Sequence, residues 1–151
     1  MKLNLFRFYT LLTMINNKIE TLLEPLMERL HLENLLKKLR TFEDAVTHCN
    51  KLNIDISNIR FHYDDAPDVV AYNKLKIFVK ALNEGWKPDS NNTNQYKYYN
   101  YFYINTGAFA YDSTDCDGSY VDVPSALFLK SAELAKHVAN VAFEEYKSYY
   151  I

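Results

Sequence analysis

Two short clusters carry the side chains that catalysis or metal binding would need. His48-Cys49 and His62-Tyr63-Asp64-Asp65 offer imidazole, thiol and carboxylate, the groups of a zinc site or of a cysteine nucleophile with its base. Spacing weighs against both. Neighbours on a helix point about 100° apart, and neither cluster has the paired spacing of a structural zinc site or a local nucleophile signature. The run Ser113-Thr114-Asp115-Cys116-Asp117-Gly118 alternates oxygen ligands and ends in glycine, as a calcium loop does. Counting from Ser113, however, position twelve is Pro124, where a bidentate Glu is required, so a solvated hairpin turn is the better reading. His31 and His137 stand alone on predicted helices and receive no role. The residues assign no catalytic group, no metal and no cofactor, and the chain reads as noncatalytic.

Binding chemistry has stronger candidates. Tyr96, Tyr98, Tyr99, Tyr101, Phe102 and Tyr103 crowd one strand, and Phe109, Tyr111 and Tyr120 follow. Alternation places Tyr96, Tyr98 and Phe102 on one face and Tyr99, Tyr101 and Tyr103 on the other. One face should pack on helices, while the other presents phenols, rigid rings with a hydrogen-bonding tip, to a partner. An aromatic core with protein contact is the favoured reading. A nucleotide or single-strand platform using Lys97 and Lys87 is the alternative. Charge opposes nucleic acid, because residues 86–151 hold five Lys against eight acids. Trp86-Lys87-Pro88-Asp89, with Asn91, Asn92 and Asn94, opens a polar loop beside this strand. Trp86 reads first as the anchor of that loop. The candidate binding residues are thus Trp86, Lys87, Asp89, Tyr96, Lys97, Tyr98, Tyr99 and Tyr101.

Several elements must position these residues. Thr41-Phe42-Glu43-Asp44 approximates a capping box and predicts a helix through about Asn50. Residues 53–66 read as loop. Pro67 suits a first helical turn, and Val69, Val70, Tyr72, Leu75, Ile77, Phe78, Val79 and Leu82 continue the helix to a stop at Gly85. Apolar residues cover most of its circumference, so this helix should be central, with Lys74, Lys76 and Lys80 reaching out along their stems. Strands are expected at about 96–104, 107–112 and 119–123, with a short fourth at 126–129. They are joined by Asn105-Thr106-Gly107 and by the acidic stretch from Asp112 to Gly118. Ser131 then caps a final helix with Leu134, Val138, Val141, Ala142 and Tyr146 on one face. The fold class is α+β: helices and a small antiparallel meander of three to four strands, with the C-terminal helix packed on it.

The first forty residues differ from the remainder. They carry seven Lys/Arg and four Glu, whereas residues 41–151 carry ten against fifteen. Leu5, Phe8, Leu12, Ile15, Ile19, Leu22 and Leu26 recur at alternating intervals of three and four, the seam of a left-handed coiled coil. Pro25 lacks the N–H that would reach the Thr21 carbonyl, which predicts a kink or a break into two helices. The pattern fits three heptads and fails at Arg29, and Leu26, Leu30, Leu32, Leu35, Leu36 and Leu39 then continue a second apolar helix. Packing of this amphipathic arm on the rest of the chain and self-association through it are the competing readings. A membrane-surface helix using Lys2, Arg7 and Lys18 is disfavoured by Asn and Glu on the polar face. The domains read as a 1–40 helical arm and a single 41–151 α+β domain.

Composition limits the class further. A chain with 48% apolar residues, three Gly, four Pro and net charge −2 is neither disordered nor collagen-like. Cys49 and Cys116 read as reduced thiols of a cytoplasm-like compartment. Arg7 interrupts the N-terminal apolar run and no small-residue cleavage site follows, so no signal peptide is expected. No stretch approaches the roughly eighteen apolar residues of a spanning helix.

The stretches Thr41-Phe42-Glu43-Asp44-Ala45, Tyr72-Asn73-Lys74-Leu75, Lys80-Ala81-Leu82-Asn83-Glu84-Gly85-Trp86-Lys87-Pro88-Asp89, Gln95-Tyr96-Lys97-Tyr98-Tyr99 and Leu129-Lys130-Ser131-Ala132-Glu133-Leu134-Ala135 resemble a family of small uncharacterised proteins. That family is encoded by phages, including crAss-like phages, prophages and mobile elements of Bacteroidetes. The resemblance covers residues 41–151. It departs from the family at Ser90, where Trp is usual, and at Asn100-Tyr101, where Pro-Trp is usual. It implies a viral or mobile-element setting, in the host bacterial cytoplasm or the virion, and no activity. The resulting expectation is a protein that self-assembles through residues 1–40 and binds a protein partner through its aromatic strand, as a virion-associated component or an inhibitor of a host system.

Overall fold

The computed structural model describes residues 2–119 and 123–151, residues 2–6 by their backbone alone. The chain divides into two compact units, Met1–Lys37 and Lys38–Ile151. The first is a single helix, α1 (Lys2–Lys38). The second holds α2 (Phe42–Lys51), α3 (Pro67–Asn83), β1 (Lys97–Asn105), β2 (Ala108–Asp117), a 3-10 turn (Ser125–Leu127), α4 (Ala132–Val141) and α5 (Phe143–Tyr150). It is an α+β protein.

Helix α1 continues through Pro25 instead of breaking there. Proline's fixed φ suits a helix, but its ring crowds the Thr21 carbonyl and it lacks the N–H that carbonyl would have accepted. Upstream, the hydroxyls of Thr13 and Thr21 donate to the carbonyls of Tyr9 and Asn17, at 2.9 and 2.8 Å.

The start of α2 follows its sequence closely. Thr41 Oγ1 accepts from the Asp44 N–H, and the Asp44 carboxylate accepts from the backbone N–H groups of Thr41 and Arg40. Pro67 occupies the first turn of α3. This helix is the centre of the second unit: Leu75, Ile77, Phe78, Val79, Ala81 and Leu82 are all buried. It packs against α2, α5, α4 and the 3-10 turn. Burying each such large side chain contributes roughly 1.5–3 kcal/mol. The helix stops at Glu84, which adopts the left-handed conformation at φ 48°, and Gly85 follows at φ 89°.

The sheet differs from the expected meander. Among the described residues it has two antiparallel strands, joined at Thr106-Gly107, with Gly107 at φ 81°. The expected strand at 119–123 falls mostly on residues outside those described. The expected strand at 126–129 is instead the 3-10 turn followed by one bridge, in which Leu129 and Tyr98 exchange two 2.9 Å backbone hydrogen bonds. The acidic stretch at 112–117, expected as a turn, belongs to β2 and pairs with β1, Asp117 opposite Lys97 and Asp115 opposite Tyr99. Long-range pairing with a β-former such as Tyr99 overrides the turn preference of Asp and Ser.

A bulge makes that longer strand useful. Tyr101 pairs with Ser113 but Phe102 pairs with Tyr111, so Asp112 is an extra residue on β2. The shift turns Tyr111 and Phe109 onto the face of Tyr98, Asn100 and Phe102, which lies on the helices. Phe102 stacks on Phe109 at 4.9 Å and meets Tyr146 of α5 at 4.5 Å.

The expected final helix is two. Ser131 caps α4 by accepting from the Leu134 N–H, but at Ala142 (φ −115°, ψ 32°) the chain leaves helical geometry, and α5 begins at Phe143. The break lets the rings of Phe143, Tyr146 and Tyr150 gather on the ribbon.

Two buried asparagines tie these layers together. Asn83 Nδ2 donates to the Phe128 carbonyl and its Oδ1 accepts from the Lys130 N–H. Asn100 Nδ2 donates to the Ala135 carbonyl at 2.8 Å, and its Oδ1 accepts from Thr114 Oγ1 at 2.7 Å. Removing a partner inside a low-dielectric core leaves polar groups unpaired, at about 1–3 kcal/mol each. Asn100→Ala is therefore expected to lower the unfolding free energy by about 2–4 kcal/mol with unchanged secondary structure, read by urea denaturation. Asp44 supplies a pH signature. The hydrogen bonds from Arg40, then Thr41, hold its carboxyl below the usual range. Its contribution is present above the unfolded-state value near about 3.9 and is lost as pH falls through the lower folded value. The melting-temperature gap between the parent chain and Asp44→Ala should be wider at neutral pH than in strong acid.

Candidate functional site

The seam residues of α1 lie open in the isolated chain. Phe8, Leu12, Ile15, Ile19, Leu22 and Leu26 are each 45–64% exposed, as are Tyr9, Leu11 and Leu23 beside them. Leu5, the first seam residue, has its side chain outside the described set. Isolated apolar residues on a surface need no explanation, but this row is contiguous along the helix. The next position of the spacing is Arg29, which pairs with Glu33 at 3.7 Å, a solvent-exposed i,i+4 pair worth little in energy.

In the second unit, Trp86 and Lys87 line a cavity of about 290 Å³. Its walls are Val79 on α3, Ile54 and Ile59 from the 53–66 loop, Pro88, and Phe128 with Ser125 and Ala126 from the 3-10 turn region. Local geometry explains why the chain opens here. The left-handed pair Glu84-Gly85 reverses the backbone after α3, and the Trp86 N–H returns to the Asn83 carbonyl at 2.9 Å. Trp86 is thereby half-buried against the helix end, with Lys87 outside it.

Among the described residues the charged lining of this cavity is cationic: Lys76, Lys80 and Lys87. Lys80 Nζ donates to the Asp55 carbonyl at 2.8 Å, and Lys76 Nζ lies over the Tyr72 ring at 4.8 Å. Nearby carboxylates are tied to other groups. Asp55 accepts from the hydroxyl and N–H of Ser57, Glu84 meets His48 Nε2 at 2.9 Å, and Asp89 accepts from the Asn91 N–H. Asp89, expected as a binding residue, thus shapes its own loop.

The tyrosine strand divides between core and surface. Tyr99 is buried against Phe128 and Tyr101. Lys97 is buried too, its Nζ donating to the carbonyls of Asn92 and Gly118 at 3.1 and 3.2 Å. That clasp demands glycine at 118, where a Cβ would fall 1.9 Å from the Thr93 carbonyl oxygen. Tyr98 and Tyr101 are half-buried, while Tyr96 and Tyr103 are exposed. Tyr120 lies outside the described residues. The strand and the Trp86 cavity share Phe128, whose ring covers Tyr99 while it lines the cavity.

The His and Cys clusters disperse. His48 turns to Glu84, and Cys49 is buried with Sγ 4.0 Å from the Ile77 carbonyl. Burial pushes the Cys49 thiol up to about 11, against a smaller opposing effect of Lys80, so it is no thiolate nucleophile. The His62 N–H donates to Asp65 within one turn. His137 Nε2 donates to the Leu39 carbonyl at 2.6 Å, a structural tie. Among the described residues no three His, Cys, Asp or Glu side chains converge as a metal site, and no helix is long and apolar enough to cross a membrane.

Sequence reasoning found Trp86 and Lys87 but missed Ile54, Lys76, Lys80, Ser125 and Phe128. They come from three separate segments, with no local signal that they meet. Compared with known proteins, the chain matches no protein-family model, no curated protein and no solved structure.

The two thiols give a direct check of this arrangement. Cys116, half-buried on β2, should react with a disulfide reagent under native conditions, and Cys49 only as fast as the second unit unfolds. A thiol-release time course, with and without denaturant, reads both.

Proposed function

We propose that this is a noncatalytic protein that assembles through α1 and engages a protein partner through the second unit. The observation carrying the reading is the row of exposed seam residues on α1, from Phe8 to Leu26. A row of this size favours association with other helices, since leaving it in water forgoes about 25 cal/mol for each Å² that could be covered. The alternating three and four spacing suits a left-handed supercoil of identical helices. Tyr9, Leu11 and Leu23 widen the apolar stripe beyond the two positions per heptad of a simple two-stranded seam, which favours a bundle of more than two helices.

For the partner, support comes from Tyr96, Tyr103 and Ile104, aromatic and aliphatic side chains exposed on or beside the ribbon. Such residues are typical of interface cores. The family resemblance supports a phage or mobile-element setting, with a virion-associated component and an inhibitor of a host system as the two roles consistent with it. A nucleotide or single-strand platform on the tyrosine strand has less support, because Lys97 already serves two carbonyls and Tyr99 is covered.

Light scattering on the full chain tests the assembly reading. The parent should have the mass of an oligomer, and Leu12→Lys with Ile19→Lys should reduce it to one chain while the far-ultraviolet spectrum of the second unit persists. A parent that is monomeric across the micromolar range would overturn it.

A further inference from the structure

The Trp86 cavity has a chemistry of its own, independent of α1. At about 290 Å³ it stands at the bottom of the roughly 300–1,000 Å³ range of small-molecule pockets, enough for one flat ring system and a short substituent. Its walls suit a ring: the half-buried Trp86 offers aromatic surface and Ile54 aliphatic contact, backed by the nearly covered Val79, Ile59 and Phe128. Its polar groups suit an anion. Among the described residues Lys76, Lys80 and Lys87 are its only charged lining, in a chain whose net charge is −2. Ser125 and Asn58 add a hydroxyl and an amide.

Lys80 is opposed in part by the Asp55 carboxylate, which Ser57 and, to a smaller degree, Lys80 hold below the usual range. The carboxylates of Asp55, Glu84 and Asp89 are engaged with Ser57, His48 and Asn91. Lys80 and Lys76 have partners that carry no formal charge, a carbonyl and a ring. No described residue pairs with Lys87, which is exposed at the mouth. A phosphate, with several acceptor oxygens and up to two charges, matches a lining rich in donors better than a single carboxylate does.

We propose that this cavity binds a small aromatic phosphate, its ring against Trp86 and its phosphate at Lys87, Ser125 and Asn58. The ring displaces water from apolar wall, while the phosphate stays at the exposed mouth, where it keeps part of its hydration. Lys76 and Lys80 raise the local concentration of anions through the field they add.

The test is a nitrogen-proton NMR titration of the full chain. Trp86 is the only tryptophan, so its indole N–H gives a single reporter. The probes are 1-naphthyl phosphate and AMP, with inorganic phosphate and adenosine as partial ligands. At least one aromatic phosphate should shift the indole resonance saturably, with Kd below about 1 mM and affinity at least about tenfold above either partial ligand. AMP and naphthyl phosphate distinguish a nucleotide from a simpler aryl ester as the preferred source of the ring. Lys87→Glu, at an exposed site, should weaken binding about tenfold or more. Ala126→Glu, which sets a carboxylate on the exposed cavity rim, should do the same without touching Lys87. The proposal is overturned if neither aromatic phosphate saturates by about 5 mM. It is equally overturned if both variants bind as tightly as the parent.

Discussion

Helix α3 is apolar around most of its circumference, and the need to bury it governs the rest of the second unit. A helix with one apolar stripe can lie on a surface, but one with buried residues at 71, 75, 77, 78, 79, 81 and 82 must be enclosed. α2 and α5 pack against it, and the 3-10 turn and α4 complete the enclosure. The ribbon is then held at second hand, through α4 and through rings that meet α5. This hierarchy explains why so small a sheet suffices. A two-stranded hairpin is marginal alone in water and persists here because a helical layer covers one face.

Polar groups inside this arrangement fix the alignment that hydrophobic contact leaves loose. Asn83 and Asn100 each bond main-chain atoms from a distant segment, at 128, 130 and 135. Burial without those bonds is costly, so only one alignment of the layers satisfies both asparagines. Lys97 does the same at the ribbon's end by joining the 92 and 118 carbonyls. The Trp86 cavity is a by-product of that geometry. It opens where α3 ends in a left-handed turn and where Asn83 holds the 128–130 segment nearby, so a change in the clamp would alter the cavity walls.

The two units illustrate opposite answers to the same driving force. The second unit covers its apolar residues internally, whereas α1 carries its own in the open over much of its length. Helices shorter than about 12–15 residues are marginal in water, and α1 at 37 residues is long enough to persist with one interior proline. Assembly and ligand capture would then reside in separate parts of the chain. A multimer built on the arm would repeat the cavity once per copy and raise its effective affinity for any multivalent target.

Local signals in the sequence were enough for the elements whose chemistry is local. The capping box at Thr41 and Asp44, the proline at the start of α3, the serine cap of α4 and the alternation of the tyrosine strand all follow from neighbours within a few residues. Tertiary structure alone decided what depends on distant contacts. Pairing with Tyr99 and Tyr101 drew the acidic stretch at 112–117 into a strand, against its own turn preference, and the bulge at Asp112 chose which rings face the helices. Packing on the ribbon split the last helix at Ala142, and one flat reading of the tyrosine strand became a buried Tyr99 and an exposed Tyr96. The Trp86 cavity is the clearest case, because its lysines and its phenylalanine are some fifty residues apart and meet only when α3 has been enclosed. Short-range spacing specifies backbone conformation and faces; which faces meet is set by burial and by the pairing of every enclosed polar group.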